Sequence, residues 1–369
     1  MRILVVNAGS SSLKLRLLDD RDAIVGSADL RAPRGEADAG LVGEAIEGFG
    51  GRGSVDAVGH RIVHGGTEFS GPVLIDAGVE ARLAALSDLA PLHQPTSLAA
   101  LAAVRAAVPD APAVASFDTA FHATIPPAAA TYALPAEWRK RWGLRRYGFH
   151  GLSHAYASRR AAQLLGLSPD GLRLVTCHLG AGASLAAVHD GRSVDTTMGF
   201  TPLEGLVMAT RSGSVDPGLV LWLEEHVGTP PAELAATLEH RSGLLGLAGT
   251  EDMRELLGRV AAGDPEAALA LGVYLHRLRA AIAAMAAAMG GLDGLVFTGG
   301  VGENSPDVRA RAVAGLGFLG ITVEAARNAS GGEDREIGGT GRVRVLVVRA
   351  REDLEIARQV REVLRGAGS

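Results

Sequence analysis

Arg61, Asp118, His150 and Arg211 each stand in a short motif mixing glycine with polar residues, and together they suit a reaction between anions. Arg61 lies in Gly59-His-Arg-Ile-Val-His-Gly-Gly66 at the end of an apolar run, and Asp118 follows another in Ser116-Phe-Asp-Thr-Ala-Phe-His122. His150 and His154 flank a glycine in Tyr147-Gly-Phe-His-Gly-Leu-Ser-His154, and Arg211 sits in Ala209-Thr-Arg-Ser-Gly-Ser-Val-Asp-Pro217. Two small-residue turns complete the set. Asn7-Ala-Gly-Ser-Ser-Ser12 has Lys14 just beyond it, and His178-Leu-Gly-Ala-Gly-Ala-Ser184 repeats the plan. Such turns expose backbone N–H groups able to cradle phosphate. Asn7, Ser10 and Ser12 can support a metal or a phosphate, and Lys14 can neutralise charge. Singly, each motif has a plainer reading as a hairpin turn, a helix cap or a surface ion pair. The histidine pairs have neither a cysteine cluster nor a third ligand nearby to make a zinc site. Taken together, two turns, two separated arginines, a histidine and carboxylates are what phosphoryl transfer requires, a reaction of positioning and charge neutralisation. The P-loop G-x-x-x-x-G-K-[ST] and the protein-kinase motifs are absent, so the fold must handle phosphate in another way.

The elements around these motifs alternate between strand and helix, which argues for an α/β fold. Ile3–Asn7 and Leu13–Leu18 read as two strands about the first turn, and 172–190 as two more about the second. The repetition implies two structurally related halves. Strand-like segments Ala57–Val63 and Ala113–Ser116 are separated by helices at 79–88 and 97–107. Helices follow around Pro217–His226, Pro231–His240 and Pro265–Met289, and Gly294–Asn304 is a strand entering a glycine turn that opens a helix. The polar segment Ala329–Arg342 reads as a loop or hairpin, Val343–Val348 as a last strand, and 352–365 as a terminal helix. The boundary between halves falls near Phe121–Pro127.

A chain of 369 residues, 47% hydrophobic, is long enough for two cores. Its net charge of -5 gives no nucleic-acid signal. Its one cysteine, Cys177, excludes a disulfide framework and suits a cytoplasmic location. The N-terminus lacks the apolar core of a signal peptide, and the longest apolar run, Ala280–Met289, is well short of the roughly 20 residues that span a bilayer. No membrane association is expected.

These motifs, with Phe297-Thr-Gly-Gly-Val-Gly-Glu-Asn304, resemble the acetate kinase family across the whole chain, in order and with family-like spacing. The resemblance implies an actin-like, sugar-kinase-like fold of two ribonuclease-H-like domains with the active site in the cleft between them. Residues 1–121 with 353–369 would form the acyl-substrate side, closed by the C-terminal helix, and 122–352 the nucleotide-binding domain. It implies Mg²⁺-dependent (or Mn²⁺-dependent) reversible transfer of the ATP γ-phosphoryl to acetate, giving acetyl phosphate and ADP, by a homodimer. Asn7 and Glu352 correspond to metal positions, Arg61 to the carboxylate contact, and Asp118, His150 and Arg211 to catalytic positions. Lys14, His178, Leu179, Gly180, Ala181, Gly182, Asp252, Met253, Arg254, Gly300, Val301, Gly302, Glu303 and Asn304 correspond to nucleotide contacts. Val63, Leu92, Phe149 and Pro202 correspond to the pocket for the acyl methyl.

This chain departs from the family pattern at Ala181, where the second turn usually has Asn. Gln94 and Thr96 replace Asn and Pro, and Ala350-Arg-Glu-Asp353 replaces Thr-Asn-Glu-Glu. Propionate kinase is the close alternative, because each methylene is worth only about 1–3 kcal/mol of discrimination. ATP-gated chaperones and filament proteins share the implied fold, but Arg61, His150 and Arg211 favour a small acceptor.

Overall fold

An almost wholly buried strand before the first turn and an alternating one after it make an antiparallel ribbon. Ile3–Ala8 (β1) pairs with Ser12–Leu18 (β2), setting Asn7 opposite Lys14, and Ile24–Arg31 (β3) adds to β2. In the computed structural model, which describes residues 1–9, 12–31, 38–87 and 94–367, the ribbon continues into a sheet with Ala57–Ile62 (β4), Val73–Leu74 (β5) and Ala113–Phe117 (β6). The order is β3-β2-β1-β4-β6-β5, with β1, β4 and β6 parallel and β5 antiparallel to β6.

The second turn heads a second sheet, made of Arg173–Leu179 (β7), Ala183–His189 (β8), Arg192–Thr196 (β9), Gly294–Thr298 (β10), Arg335–Glu336 (β11) and Arg344–Val347 (β12). Its order, β9-β8-β7-β10-β12-β11, repeats the first sheet strand for strand, and every pairing keeps its parallel or antiparallel sense. The related halves inferred from the two turns are therefore one topology used twice.

The chain divides into a first unit of Met1–Ala123, Gly151–Tyr156 and Arg351–Ser369, and a second of Thr124–His150 and Ala157–Ala350. This differs from the sequence division in three places: His122 and Ala123, Gly151–Tyr156, and Arg351 with Glu352 all count with the first unit. In the first unit Leu4, Val6, Leu13 and Leu15 pack on one face of the sheet with Val42, Ile46, Ala100 and Val104 from helices Ala39–Gly48 and Gln94–Ala107. On the other face Ile3, Val5, Ala57 and Val114 meet Ile356, Ala357 and Val360 of the terminal helix Glu352–Ala367. Burying each such side chain contributes about 1.5–3 kcal/mol, so the last helix is part of the first core.

In the second unit the helix Pro265–Ala288 starts at Asp264, whose carboxylate accepts from the Glu266 and Ala267 N–H groups, with Pro265 in the first turn. Among the described residues it is the one helix long and apolar enough to cross a membrane. It buries Leu271, Tyr274, Leu275, Leu278 and Ile282 and packs on β7, β8 and the helices Gly243–Ala248 and Met253–Ala261. It is a core helix.

Candidate active site

Two clusters carry the sequence-predicted chemistry, one in each unit. In the first, parallel pairing of β1 with β4 brings Asn7 and Arg61 onto adjacent strands, and Asp118 follows β6 with its N–H donating to the Ile62 carbonyl. Arg61 Nε and Nη2 donate to Asp118 Oδ2 at 3.0 and 2.5 Å, and Nη1 donates to Asn7 Oδ1 at 3.0 Å. Asn7 Nδ2 donates to Glu352 Oε2 at 3.0 Å, and that oxygen lies 3.9 Å from Arg61 Nε. Glu352 opens the terminal helix, where a carboxylate is favoured by the dipole.

The electrostatics of this cluster are those of a buried network. Burial pushes the Asp118 carboxyl above its usual range; Arg61 opposes that shift, and the Glu352 charge adds to it. Burial opposes charge on Arg61 too, but Asp118 and Glu352 outweigh it and hold the guanidinium cationic. Asp118 Oδ1 is buried with no hydrogen-bond partner among the described residues. A buried carboxylate oxygen left open in this way is a place for a ligand, a water or an ion. Lys14 is exposed on β2, directly across from Asn7.

In the second unit the cluster is built around the β7–β8 turn. His150 has left-handed backbone geometry (φ 57°) just before the helix Gly151–Leu165, an uncommon conformation for a non-glycine residue and one often found at functional sites. Its Nδ1 lies 2.9 Å from Ser184 Oγ, and its ring stacks on His178 with centroids 4.4 Å apart. Arg211 is held by Glu239 at 3.2 Å, with its Nη1 3.5 Å from the Pro202 carbonyl. A Cβ on Gly182 would stand 3.2 Å from His150 Nε2 and 3.5 Å from Arg211 Nη1, so only glycine leaves this space open between the two bases.

The glycine turn that follows β10 lies against the end of β7 in the same unit. Gly299 takes φ +79°, and a Cβ there would meet the Leu179 carbonyl oxygen at 2.8 Å. Glu303 Oε1 accepts from the N–H groups of Gly299 (3.0 Å) and Ala350 (2.8 Å), and Asn304 Nδ2 donates to the Gly300 carbonyl (2.9 Å). The helix Gly299–Asn304 is pinned from below by Arg309, which is almost wholly buried. Its guanidinium donates to the carbonyls of Gly302 and Glu303 and to both oxygens of Asn328.

The structure thus gathers Asn7, Arg61, Asp118 and Glu352, and separately His150, His178, Gly182 and Arg211 with the Gly299–Asn304 turn. Val63 is buried just past β4 in the first unit, whereas Phe149 and Pro202 belong to the second. Leu92 and Ser10 lie outside the described residues. Asp252, Met253 and Arg254 open a separate helix. Asp252 caps it and pairs with Arg254, which holds the Asp252 carboxyl down at about 2. Arg351 pairs with Asp353 at 2.8 Å, so the altered residues around Glu352 form their own ion pair. Sequence reasoning missed Ser184 and Glu239. Ser184 sits inside the quoted turn, but Glu239 is far along the chain from Arg211 and has no local signal.

Comparison with known proteins gives this arrangement its class. Residues 49–358 match the acetokinase family. Acetate kinase of Deinococcus deserti is 46% identical over 99% of this chain and 98% of its own. A crystal structure of Porphyromonas gingivalis acetate kinase superposes with a TM-score of 0.90 at 36% identity, covering 98% of this chain and 99% of the other. A propionate kinase from Francisella tularensis gives 0.91 at 34%, with 98% and 99% covered. The two repeated sheets are the fold of a phosphotransferase, and the chain belongs to the acetokinase family. Its activity is acetate kinase activity (EC 2.7.2.1), that of a kinase and a transferase.

Proposed function

We propose that this chain transfers the ATP γ-phosphoryl reversibly to acetate by a direct in-line route, with Arg61, Asp118, His150 and Arg211 as the residues that matter most. Acetate is already an anion at neutral pH, since a carboxyl of this kind titrates at about 4 to 5. The nucleophile needs no general base. The problem is to bring one anion against another, and two guanidiniums with a histidine answer it. Arg61 pairs with the acetate carboxylate, and Asp118 orients Arg61 by accepting two of its N–H groups. Arg211 and His150 hold the equatorial oxygens of the transferring group. Lys14, His178–Gly182, Asp252–Arg254 and Gly300–Asn304 contact the nucleotide; all but Lys14 belong to the second unit, while Arg61, for the acyl carboxylate, belongs to the first. Val63, Phe149 and Pro202, with Leu92 outside the described residues, are assigned to the acyl methyl by the family resemblance.

The donors beside Arg61 suit a hard divalent cation. Asp118 has an open buried oxygen, and Glu352 and Asn7 add two more oxygen-bearing side chains. Among the described residues no three His, Cys, Asp or Glu side chains form a complete cage. Mg²⁺ commonly binds through one or two carboxylates, waters and substrate phosphates, so an incomplete cage fits it. Glu352 and Asn7 would hold Mg²⁺, or Mn²⁺, which when bound neutralises the β and γ oxygens. The protein is further proposed to work in the cytoplasm as a homodimer. The exposed apolar residues Leu219, Leu221, Trp222 and Val227 suit a self-association face.

The observation that carries the reading is the pair of arginine-centred clusters, one around Asp118 and one around Gly182. ATP turnover with acetate, propionate and butyrate, with hydroxylamine trapping the acyl phosphate, tests it. Acetate-dependent hydroxamate is expected, with propionate used less well. ADP formation independent of any carboxylate would overturn the reading. The Francisella neighbour gives a specific reason to include propionate, and a higher kcat/KM for propionate would make that the substrate.

A further inference from the structure

The second unit contains a cavity of about 320 Å³ whose lining includes Arg309, Arg335, Arg349, Glu303, Asn304 and Ser330. Arg335 on β11 pairs with Val347 on β12, Arg349 lies two residues beyond the end of β12, and all three residues line the cavity. Among the described residues neither Arg335 nor Arg349 makes a salt bridge. Arg335 Nη1 donates to the Glu333 carbonyl at 3.2 Å, while its Nε is buried without a partner. Neighbouring carboxylates pair with other arginines: Asp334 with Arg160 at 2.6 Å, its second oxygen accepting from the Arg349 backbone N–H at 2.8 Å, and Glu336 with Arg344. At the cavity floor Arg309 is bonded only to neutral oxygens, so its charge has no acidic partner in contact. Three guanidiniums therefore face one carboxylate, Glu303, which is itself tied to two backbone N–H groups.

We propose that this cavity is a binding site for a small phosphomonoester, its phosphoryl group held by Arg335 and Arg349. Planar guanidinium forks match phosphate oxygens, and an excess of positive charge favours a dianion over a monocarboxylate. The volume leaves room for an organic portion beyond the phosphoryl group. The site lies at the Asn304 end of the helix Gly299–Asn304, away from the β7–β8 turn that meets the other end at Gly299. Asn304 and Glu303 line the cavity and also bond Gly300 and Gly299, so an occupant touches the side chains that set the glycine turn. If the turn holds nucleotide, as argued above, the ligand is an effector of nucleotide binding. The site itself does not depend on that reading.

Isothermal titration with inorganic phosphate and with glycerol 2-phosphate, in the absence of turnover, tests the proposal. One equivalent of each probe should bind the native protein alike with and without saturating ATP, no carboxylate being present. Binding should weaken roughly tenfold or more in Arg335→Gln/Arg349→Gln, since each loses a charged partner. Arg335→Lys/Arg349→Lys should retain part of it, which separates lost charge from lost folding. Binding abolished by saturating ATP without a carboxylate, but kept in the double glutamine variant, would assign the anion to the reaction site and overturn the proposal. Absence of heat with both probes at millimolar concentration would also overturn it. Neither result bears on acetate turnover, so failure here is distinct from failure of the proposed reaction.

Discussion

In the proposed reaction, Arg211 acts at one moment, the transition state. Its guanidinium is anchored by Glu239 and stands beside the space that Gly182 leaves open next to His150. A group that grips the equatorial oxygens as charge redistributes acts on kcat more than on ground-state binding. Arg211→Ala should lower kcat about 10²-fold or more with little change in either KM, as steady-state kinetics will show. Arg211→Lys should recover little, because a point charge does not reproduce the planar fork. Val63 is a test of a different kind. Shortening this buried side chain to alanine should improve kcat/KM for butyrate relative to acetate by roughly tenfold, and an unchanged ratio would remove Val63 from the acyl pocket. Gly182 adds a steric control. Gly182→Ala should obstruct the space between His150 and Arg211 and cut kcat while leaving the unfolding midpoint nearly unchanged.

Elements explain why some of this was legible in the sequence and some was not. The hairpins β1–β2 and β7–β8 declared themselves because apolar strands flank turns of Gly, Ala and Ser. β3 did not, since its alternating residues are only half-buried or exposed, and β5 and β11 are two residues long. Asn7, Arg61, Asp118, His150 and Arg211 were found from motifs, whereas Glu239 and Arg309 act through distant partners that no local pattern marks. Arg309 is a clamp for the helix Gly299–Asn304. Arg309→Met would leave several buried oxygens without donors, at about 1–3 kcal/mol each, so a urea midpoint should fall and KM for ATP should rise while KM for acetate holds. β4 gives the fold an acid limit. Burial lowers the pKa of His60 to about 3 and that of His64 just beyond the strand to about 4, from an ordinary 6.5. The unfolded chain takes up these protons below pH 6.5 while the folded chain does not. Stability from these groups is therefore complete above pH 6.5 and is lost as pH falls toward their folded values, by about 1.4 kcal/mol per pH unit per proton. Urea unfolding between pH 7 and 4.5 should show a shallower acid slope in His60→Leu.

For the whole molecule, the exposed face of Leu219, Leu221, Trp222 and Val227 predicts association. Trp222→Asp should shift sedimentation toward the monomer if that face joins two copies, and an unchanged profile would place the interface elsewhere. The relation between the two halves was read from two turns alone, because the turns head equivalent strands, whereas the shared sheet order came from the structure. The assignment of Glu352 was not so legible, since only the seating of Ile356 and Val360 against Ile3 and Val5 ties the last helix to the first sheet. That seating has a consequence for biosynthesis. The strands that begin the protein leave the ribosome first, yet one face of their sheet stays bare until the final residues emerge. At roughly 5–20 residues per second the wait is on the order of ten seconds or more, long enough for Thr124–Ala350 to fold meanwhile. The part made first is therefore finished last. A nascent chain stalled after Ala350 should yield a protease-resistant fragment from the second unit and none from Met1–Ala123, and the early fragment should become resistant only when the terminal helix is released.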